Sequence, residues 1–402
     1  MRPTATLPML FTAEFFQDSH RIEAAMREQA PATLVRTPAG LRVWVVTRYA
    51  EARAVLSDPT VHKGPGIVEV ARRNVEADAH GAEAEFVAGL GGHMLASDPP
   101  DHTRLRRLVS RAFTPGRVEA MRPRVEEITA GLLAAHRPGD RVDLLDMLAF
   151  PLPITVISEL LGVPGHDQDR FRALSNELVA TLSPDAAAAV AGYLTELIAA
   201  KRADLGDDLL SALIDAHDGD DSDRLSEHEL VSMAFLLMAA GFETTVNLIG
   251  NGVLALLTHP DQLAALRADR ALLRGAVEEL LRLQSPVDMT TYRYTTEPLD
   301  LGAVRIPADA LVLVSLGAAN RDEARFPGAD TLDLTRPAGG HIAFGHGIHH
   351  CLGAPLARLE GEIAIGGLLD AFPGLSLAVP VTELAWRPSA IVHGLEKLPV
   401  VL

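Results

Sequence analysis

Cysteine is almost absent: Cys351 is the only one among 402 residues. A lone thiol makes no internal disulfide, and so little cysteine fits a reducing compartment rather than a disulfide scaffold. Aromatic residues make up only 4%, so the core has to be aliphatic, built from Leu, Val, Ala and Ile. Positive charge is in deficit too. Thirty-six Lys and Arg against 53 Asp and Glu leave a formal net charge of −17, which argues against nucleic-acid binding over a broad surface. Residues 1–16 carry no apolar run of signal-peptide length, so a cytoplasmic protein is expected. Uninterrupted apolar runs are missing as well. Val231 to Leu257 has Glu243 as its only charged side chain but is broken by Gly241, Thr244, Thr245, Asn247, Gly250, Asn251 and Gly252. A membrane span wants about 20 predominantly apolar residues. A helix buried on all sides explains this pattern better, and no membrane association is expected.

What is present is mostly helical patterning. Apolar residues recur at i, i+3 and i+4 over Pro123–His136, Pro151–Leu161, Asp167–Thr181 and Ala186–Ala203. Ser226 and Glu229 form a capping box that opens a long helix, which stops at His259-Pro260. Gln262–Leu283 reads as one or two further helices. Leu41–Val46 alternates like a strand, and short strands are expected within Thr290–Thr296, Val304–Pro307 and Leu311–Leu316. There is no internal repeat and no long linker. The expectation is one mainly α domain over 1–402 with a minor sheet drawn from both ends of the chain. Gly64–Gly92 has little periodicity and reads as a mobile surface segment or lid.

Four constellations could carry chemistry. Phe344-x-x-Gly347-x-x-x-Cys351-x-Gly353 runs directly into a helical stretch from Ala354. A thiolate there gains from free amide N–H groups and the helix dipole. Gly347 permits a tight turn, and Gly353 lets the chain pass close beneath a flat ligand. Three readings stay open: a thiolate holding haem iron, a buried structural cysteine, or zinc shared with His341, His346, His349 and His350. Ala240-Gly241-Phe242-Glu243-Thr244-Thr245 places an acid and two alcohols inside an apolar helix. Thr244 can donate to the Ala240 carbonyl and open the helix locally, and Gly241 lowers the cost of that distortion. Glu279 and Arg282 share one helix face between leucines, which suggests a buried pair with Arg336 as a third partner. Seven arginines and one acid, Glu119, lie between 104 and 124. Most form a solvated face; inward members could bind cofactor carboxylates and outward ones could dock an acidic partner.

In this order and at these separations, the pieces resemble a bacterial soluble cytochrome P450 from about Trp44 onward. The resemblance implies the P450 fold, a large helical domain with a small β-rich subregion and haem between the long helix and the cysteine loop. It implies heme b (iron protoporphyrin IX) as cofactor with Cys351 as axial ligand. His102, Arg106, Arg293 and His349 match positions that contact the propionates. Ala240 and Gly241 border the oxygen site, Thr244 hydrogen-bonds dioxygen, and Glu243 helps deliver protons. Glu279, Arg282 and Arg336 match a folding triad. The implied substrate wall draws on Met94, Leu178, Val179, Met233, Leu237, Val287, Met289, Ile391 and Val392, with Thr290 and Thr291 to orient the ligand. Each of these is also an ordinary core residue. Together they suggest a polyketide, terpenoid or steroid-like compound that is hydroxylated or epoxidised. One cysteine cannot hold an iron–sulfur cluster, so electrons come from outside, from ferredoxin and ferredoxin reductase. A monomer is expected. A peroxide-driven peroxygenase, or a coupling or rearranging enzyme on the same fold, is the alternative.

Overall fold

Valine and leucine cluster at two distant places in the chain, and the computed structural model joins them in one sheet. It describes residues 7–75, 92–181, 183–218 and 225–402; the side chains of 111–112, 179–181 and 216–218 lie outside the description. The strands are β1 (Ala32–Arg36), β2 (Arg42–Val46), β3 (Val61–His62), β4 (Arg141–Asp143), β5 (Arg293–Thr295), β6 (Leu299–Asp300), β7 (Arg305–Ile306), β8 (Leu311–Val314), β9 (Ser376–Leu377) and β10 (Pro399–Val401). The chain builds two compact units. One comprises Met1–Leu90, Asn251–Cys351 and Val381–Glu396, the other Gly91–Gly250, Leu352–Pro380 and Lys397–Leu402.

The first unit holds a five-stranded sheet in the order β1-β2-β8-β5-β3. Its β2–β8 pair is parallel, with Val43 opposite Leu311 and Val46 opposite Val314. The sheet is thus assembled from both ends of the chain, as the sequence pattern implies. Apolar side chains alternate between its two faces. Val46, Val312 and Val314 pack with Ala52, Val55 and Ile342. Val43, Val45 and Leu313 pack with Leu10, Phe15 and Met289 on the other side. Helices Ala13–Gln17, Ser19–Gln29, Tyr49–Ser57 and Ile67–Arg73 also belong here. None of them is evident from apolar period, because each is short and is stabilised by tertiary contacts. Ile67–Arg73 falls within the segment expected to be structureless, and residues 76–91 of that segment lie outside the described residues.

The second unit is helical around a small sheet, β4-β10-β9. Its helices include Asp101–Ala112, Arg122–Ala134, Pro151–Leu160, Gln168–Thr181, Pro184–Ala203 and Ala354–Ala371. The long helix, Glu227–Thr258, starts here and runs into the first unit. The capping box closes as the sequence requires. Ser226 N–H donates to Glu229 Oε2 at 2.6 Å, and Glu229 N–H donates to Ser226 Oγ at 3.2 Å. This helix meets the length and composition of a membrane span. Yet Phe242, Thr245, Val246, Asn247, Leu248, Ile249 and Asn251 on it are buried, which is the pattern of a core helix. Gln262–Leu283 resolves into two helices, Pro260–Ala268 and Leu273–Leu283.

Candidate active site

The cysteine loop belongs to the first unit and is shaped by its backbone. Gly345 and Gly347 have φ of 73° and 74°, a region where L side chains are strained. A Cβ on Gly347 would lie 2.5 Å from the Leu56 carbonyl oxygen, so only glycine lets the loop press against the helix Tyr49–Ser57. Cys351 N–H donates to Phe344 O at 2.9 Å and closes the loop. The sulfur is left exposed, and Ile348 beside it is 48% exposed.

The same unit holds an ion cluster with a fully buried pair at its centre. Glu279 and Arg282 have no exposed side-chain surface. Arg282 Nε and Nη2 donate to the two Glu279 oxygens at 2.7 and 2.8 Å, and Arg336 Nε donates to Glu279 Oε1 at 3.1 Å. The remaining Arg282 protons go to the carbonyls of Asn320, Ala329 and Thr331. A buried pair satisfied this fully is strongly held. Asn320 carries the order onward, because its Oδ1 accepts from Ile342 N–H at 2.7 Å at the start of the cysteine loop. His341 Nε2 meets Glu278 Oε2 at 3.1 Å. Asn320 and Glu278 are supporting residues that sequence reasoning missed; only the adjacency of Glu278 to the Glu279-x-x-Arg282 pattern hinted at either.

Two of the four loop histidines are held by other side chains. His341 is held by Glu278, and Arg53 Nε meets His346 Nε2 at 3.4 Å. Burial and Arg53 both push the His346 imidazole below its ordinary value. Among the described residues, Cys351 is not part of any group of three metal-ligating side chains within ligand distance. The zinc reading of this loop therefore finds no donor set.

The acid–alcohol segment lies on the long helix in the second unit. Thr244 Oγ1 donates to the Ala240 carbonyl at 2.9 Å, as its spacing requires, and Thr245 Oγ1 reaches the Gly241 carbonyl at 3.5 Å. The helix stays continuous through both bonds, so the expected local opening is not a break in the helical ladder. Gly241 serves packing instead, since a Cβ there would meet Ile157 Cδ1 at 3.0 Å. Ala240 is exposed, and Leu237, Gly241 and Thr244 are half-buried. These four positions share one face by their i, i+3, i+4, i+7 spacing. They form a partly covered stripe on a helix that is buried along much of its length.

The other site candidates divide between the units. His102 and Arg106 lie in the second unit, His102 being buried; Arg293, buried, and His349 lie in the first. Gly353 caps the helix Ala354–Ala371. Among the wall candidates, Met94, Leu178, Met233 and Leu237 fall in the second unit, and the Val179 side chain lies outside the described residues. In the first unit Val287 bridges Val392, and the Asp288 and Met289 N–H groups donate to Ile391 O. That places Val287, Ile391 and Val392 together, half-buried. Met289 is wholly buried in the sheet core, and Thr290 Oγ1 accepts from Val314 N–H at 3.1 Å. Thr291 is half-buried.

At least four of the seven arginines at 104–124 are engaged within the fold. Arg104 pairs with Glu229, Arg117 with Asp207, Arg122 with Glu119 and Glu362, and Arg124 with Glu127 and Glu159. Acids distant in sequence thus neutralise much of the positive patch. Burial works to raise the Glu229 carboxyl, but bonds from Arg104 and the Ser226 backbone outweigh it and hold it below its usual range. On the helix after the cysteine, burial alone pushes the Glu360 carboxyl up to about 8.

The loop offers one soft donor on an exposed residue, Cys351. The long helix offers a partly covered stripe of small and apolar residues ending in Thr244. A single thiolate outside any four-ligand set fits haem iron better than it fits a closed zinc site. The class it points to is a haem-thiolate enzyme, in which Cys351 would hold the iron. The family model for cytochrome P450 matches residues 169–377. The chain is 53% identical over 396 residues to cytochrome P450 107B1 of Saccharopolyspora erythraea, covering 98% of this chain and 97% of that one. It is 50% identical over 407 residues to the cytochrome P450 monooxygenase PikC of Streptomyces venezuelae, covering 99% and 95%. Among solved structures, the tirandamycin C-bound P450 monooxygenase TamI superposes with a TM-score of 0.88 at 48% identity, covering 98% and 100%. The chain belongs to the cytochrome P450 family and is a P450 monooxygenase.

Proposed function

We propose that this enzyme inserts one oxygen atom into an apolar natural product, a polyketide, terpenoid or steroid-like ring system, with electrons from a ferredoxin and its reductase. The observation that carries this reading is the partly covered stripe Leu237, Ala240, Gly241 and Thr244, a greasy face ending in one alcohol beside an acid. A haem held by Cys351 would supply the oxygen chemistry, the thiolate pushing electron density toward iron in favour of O–O cleavage. The chain's part is placement and proton handling. Thr244 Oγ1 already donates its proton to Ala240 O, so its lone pairs remain to accept one from a water or a protonated oxygen. Glu243, its neighbour, is an acid that can exchange protons with water. Heme b, propionate contacts from His102, Arg106, Arg293 and His349, and a cytoplasmic monomer complete the proposal. Of the wall candidates, Val287, Leu237, Ile391 and Val392 support it best, being only half-buried. Met289 and Met233, with no exposed surface, suit the core better. Arg107, exposed on the helix Asp101–Ala112, is a candidate for the ferredoxin-docking face.

The test is turnover of the haem-loaded protein on a panel of macrolactones, terpenoids and steroids under labelled dioxygen. The expected product carries one labelled oxygen and forms only with the ferredoxin system present. Product formed from peroxide alone, or without label, would favour the peroxygenase or coupling alternative. A second result is expected from the relay. Thr244→Ala should keep consuming reductant while product per reductant falls about tenfold or more, and Thr244→Ser should restore much of it. Unchanged coupling in Thr244→Ala would remove Thr244 from the proton path.

A further inference from the structure

A second cluster of ligating groups lies within the first unit, and the monooxygenase chemistry makes no use of it. His20 and Glu23 stand three apart on the helix Ser19–Gln29, on one face. Asp288 comes from the segment before β5. Ligand atoms from these three residues lie within 4.8 Å of one another. Glu23 is wholly buried and Asp288 is 5% exposed. Both Glu23 oxygens, Asp288 Oδ1 and His20 Nδ1 have no hydrogen-bond partner. The other His20 nitrogen faces Gln284 Oε1 at 3.4 Å, which leaves Nδ1 as the ligating atom. The Ser19 and Ser315 hydroxyls are near but outside hydrogen-bond geometry to the carboxyls.

The fold holds this arrangement in place. Asp288 N–H donates to Ile391 O, and the Asp288 carbonyl accepts from Leu316 N–H and Gly317 N–H. A Cβ at Gly317 would sit 2.1 Å from Asp288 Oδ1, so glycine there makes room for the carboxylate. His393, also buried and with Nε2 unpartnered, lies 4.9 Å from the His20 ring and is stacked by Trp386 at 3.8 Å. Arg321 and Arg27 favour the ionised carboxyls through space, but their hydrogen bonds go to other groups. Arg321 bonds Asp330 and Leu283 O, and Arg27 bonds Ala318 O.

Two adjacent buried carboxyls cannot both stay ionised without a cation. The donors are one imidazole nitrogen and two carboxylates, with a combined charge that a divalent ion cancels. Calcium asks for six to eight oxygens and magnesium for an octahedron rich in water, whereas zinc accepts three such side chains with water or a second imidazole as fourth ligand. We propose that His20, Glu23 and Asp288 form a zinc site, with His393 a further imidazole beside His20, tying the helix Ser19–Gln29 to the segment before β5. Small side-chain rotations would bring the donors to the roughly 2.0–2.2 Å that zinc takes to imidazole nitrogen and carboxylate oxygen.

The experiment uses the haem-loaded protein, stripped with EDTA and re-equilibrated with zinc. Bound metal is counted by mass spectrometry, and thermal unfolding is followed with and without zinc. Wild type should take up one zinc that raises the unfolding midpoint by a few degrees. Glu23→Gln and Asp288→Asn should each weaken binding at least about tenfold and lose the zinc-dependent rise. Without zinc both should be at least as stable as wild type, because a neutral amide replaces a buried acid. His20→Gln serves as a further variant should either fail to fold, with the same expected loss of zinc. A double His346→Ala, His350→Ala variant should bind zinc as wild type does. Equal zinc uptake and equal thermal response in wild type, Glu23→Gln and Asp288→Asn would overturn the site. So would a stripped wild type that takes up no zinc.

Discussion

Replacing Cys351 by serine is expected to remove the strongly red-shifted ferrous–CO absorption band and to cut product formation by about a thousandfold or more. That is a loss of about 4 kcal/mol or more in barrier at 1.36 kcal/mol per tenfold. The reason is chemical. Cys351 is the only sulfur of its kind in the chain, and serine cannot supply the electron push of a thiolate. The loop should survive, because its shape rests on Gly345, Gly347 and the Cys351 N–H bond to Phe344 O rather than on the side chain. The measurement is the ferrous–CO spectrum of purified protein alongside turnover. His346→Ala is the matched control and should keep the band, since His346 is directed to Arg53. A band that persists in Cys351→Ser and vanishes in His346→Ala would end the thiolate assignment.

The second large effect is on stability. Glu279→Gln leaves Arg282 buried with its charge uncompensated, and Arg336 loses the same counter-charge. Breaking a buried pair by removing one partner costs about 3–5 kcal/mol. Denaturant unfolding of the haem-loaded protein reads this directly, as a lower midpoint with little change in slope. The damage should reach the thiolate loop, because Arg282 Nη1 donates to Asn320 O at 2.8 Å and Asn320 Oδ1 accepts from Ile342 N–H. Haem content after purification should therefore fall with stability. The double change Glu279→Leu with Arg282→Met should cost less than Glu279→Gln alone, since it removes both charges together. A loss under about 1 kcal/mol in Glu279→Gln would show that the pair is not held as tightly as its hydrogen bonds suggest.

Much of this was readable where the physics is local. The capping box at Ser226 and Glu229 and the bond from Thr244 to Ala240 depend only on helix spacing, and both form as spaced. Arg336 as third partner followed from the need to satisfy a buried pair. The family fold was readable because several sparse patterns fell in one order. What stayed hidden depends on long-range contact. Nothing about Asn320 in sequence marks it as the link between the triad and the cysteine loop. The meeting of His20 and Glu23 with Asp288 spans two distant stretches of chain. The arginine patch read as positive because Glu159, Glu229 and Glu362 are remote from it in sequence. The short N-terminal helices escaped because tertiary packing, not amphipathic period, maintains them.

The strand pairings also dictate an order of assembly. β2 finds its parallel partner in β8, and β4 finds its antiparallel partner in β10, each across roughly 260 residues of chain. During synthesis the hairpin of β1 and β2 emerges long before β8 can cover its open edge, and β4 waits for residues 399–401. Contacts of such high order are slow to form, and the waiting edges are open to wrong partners. Neither sheet can close until its late strand is available, so the pairings of β2 with β8 and of β4 with β10 are expected to be late events in folding.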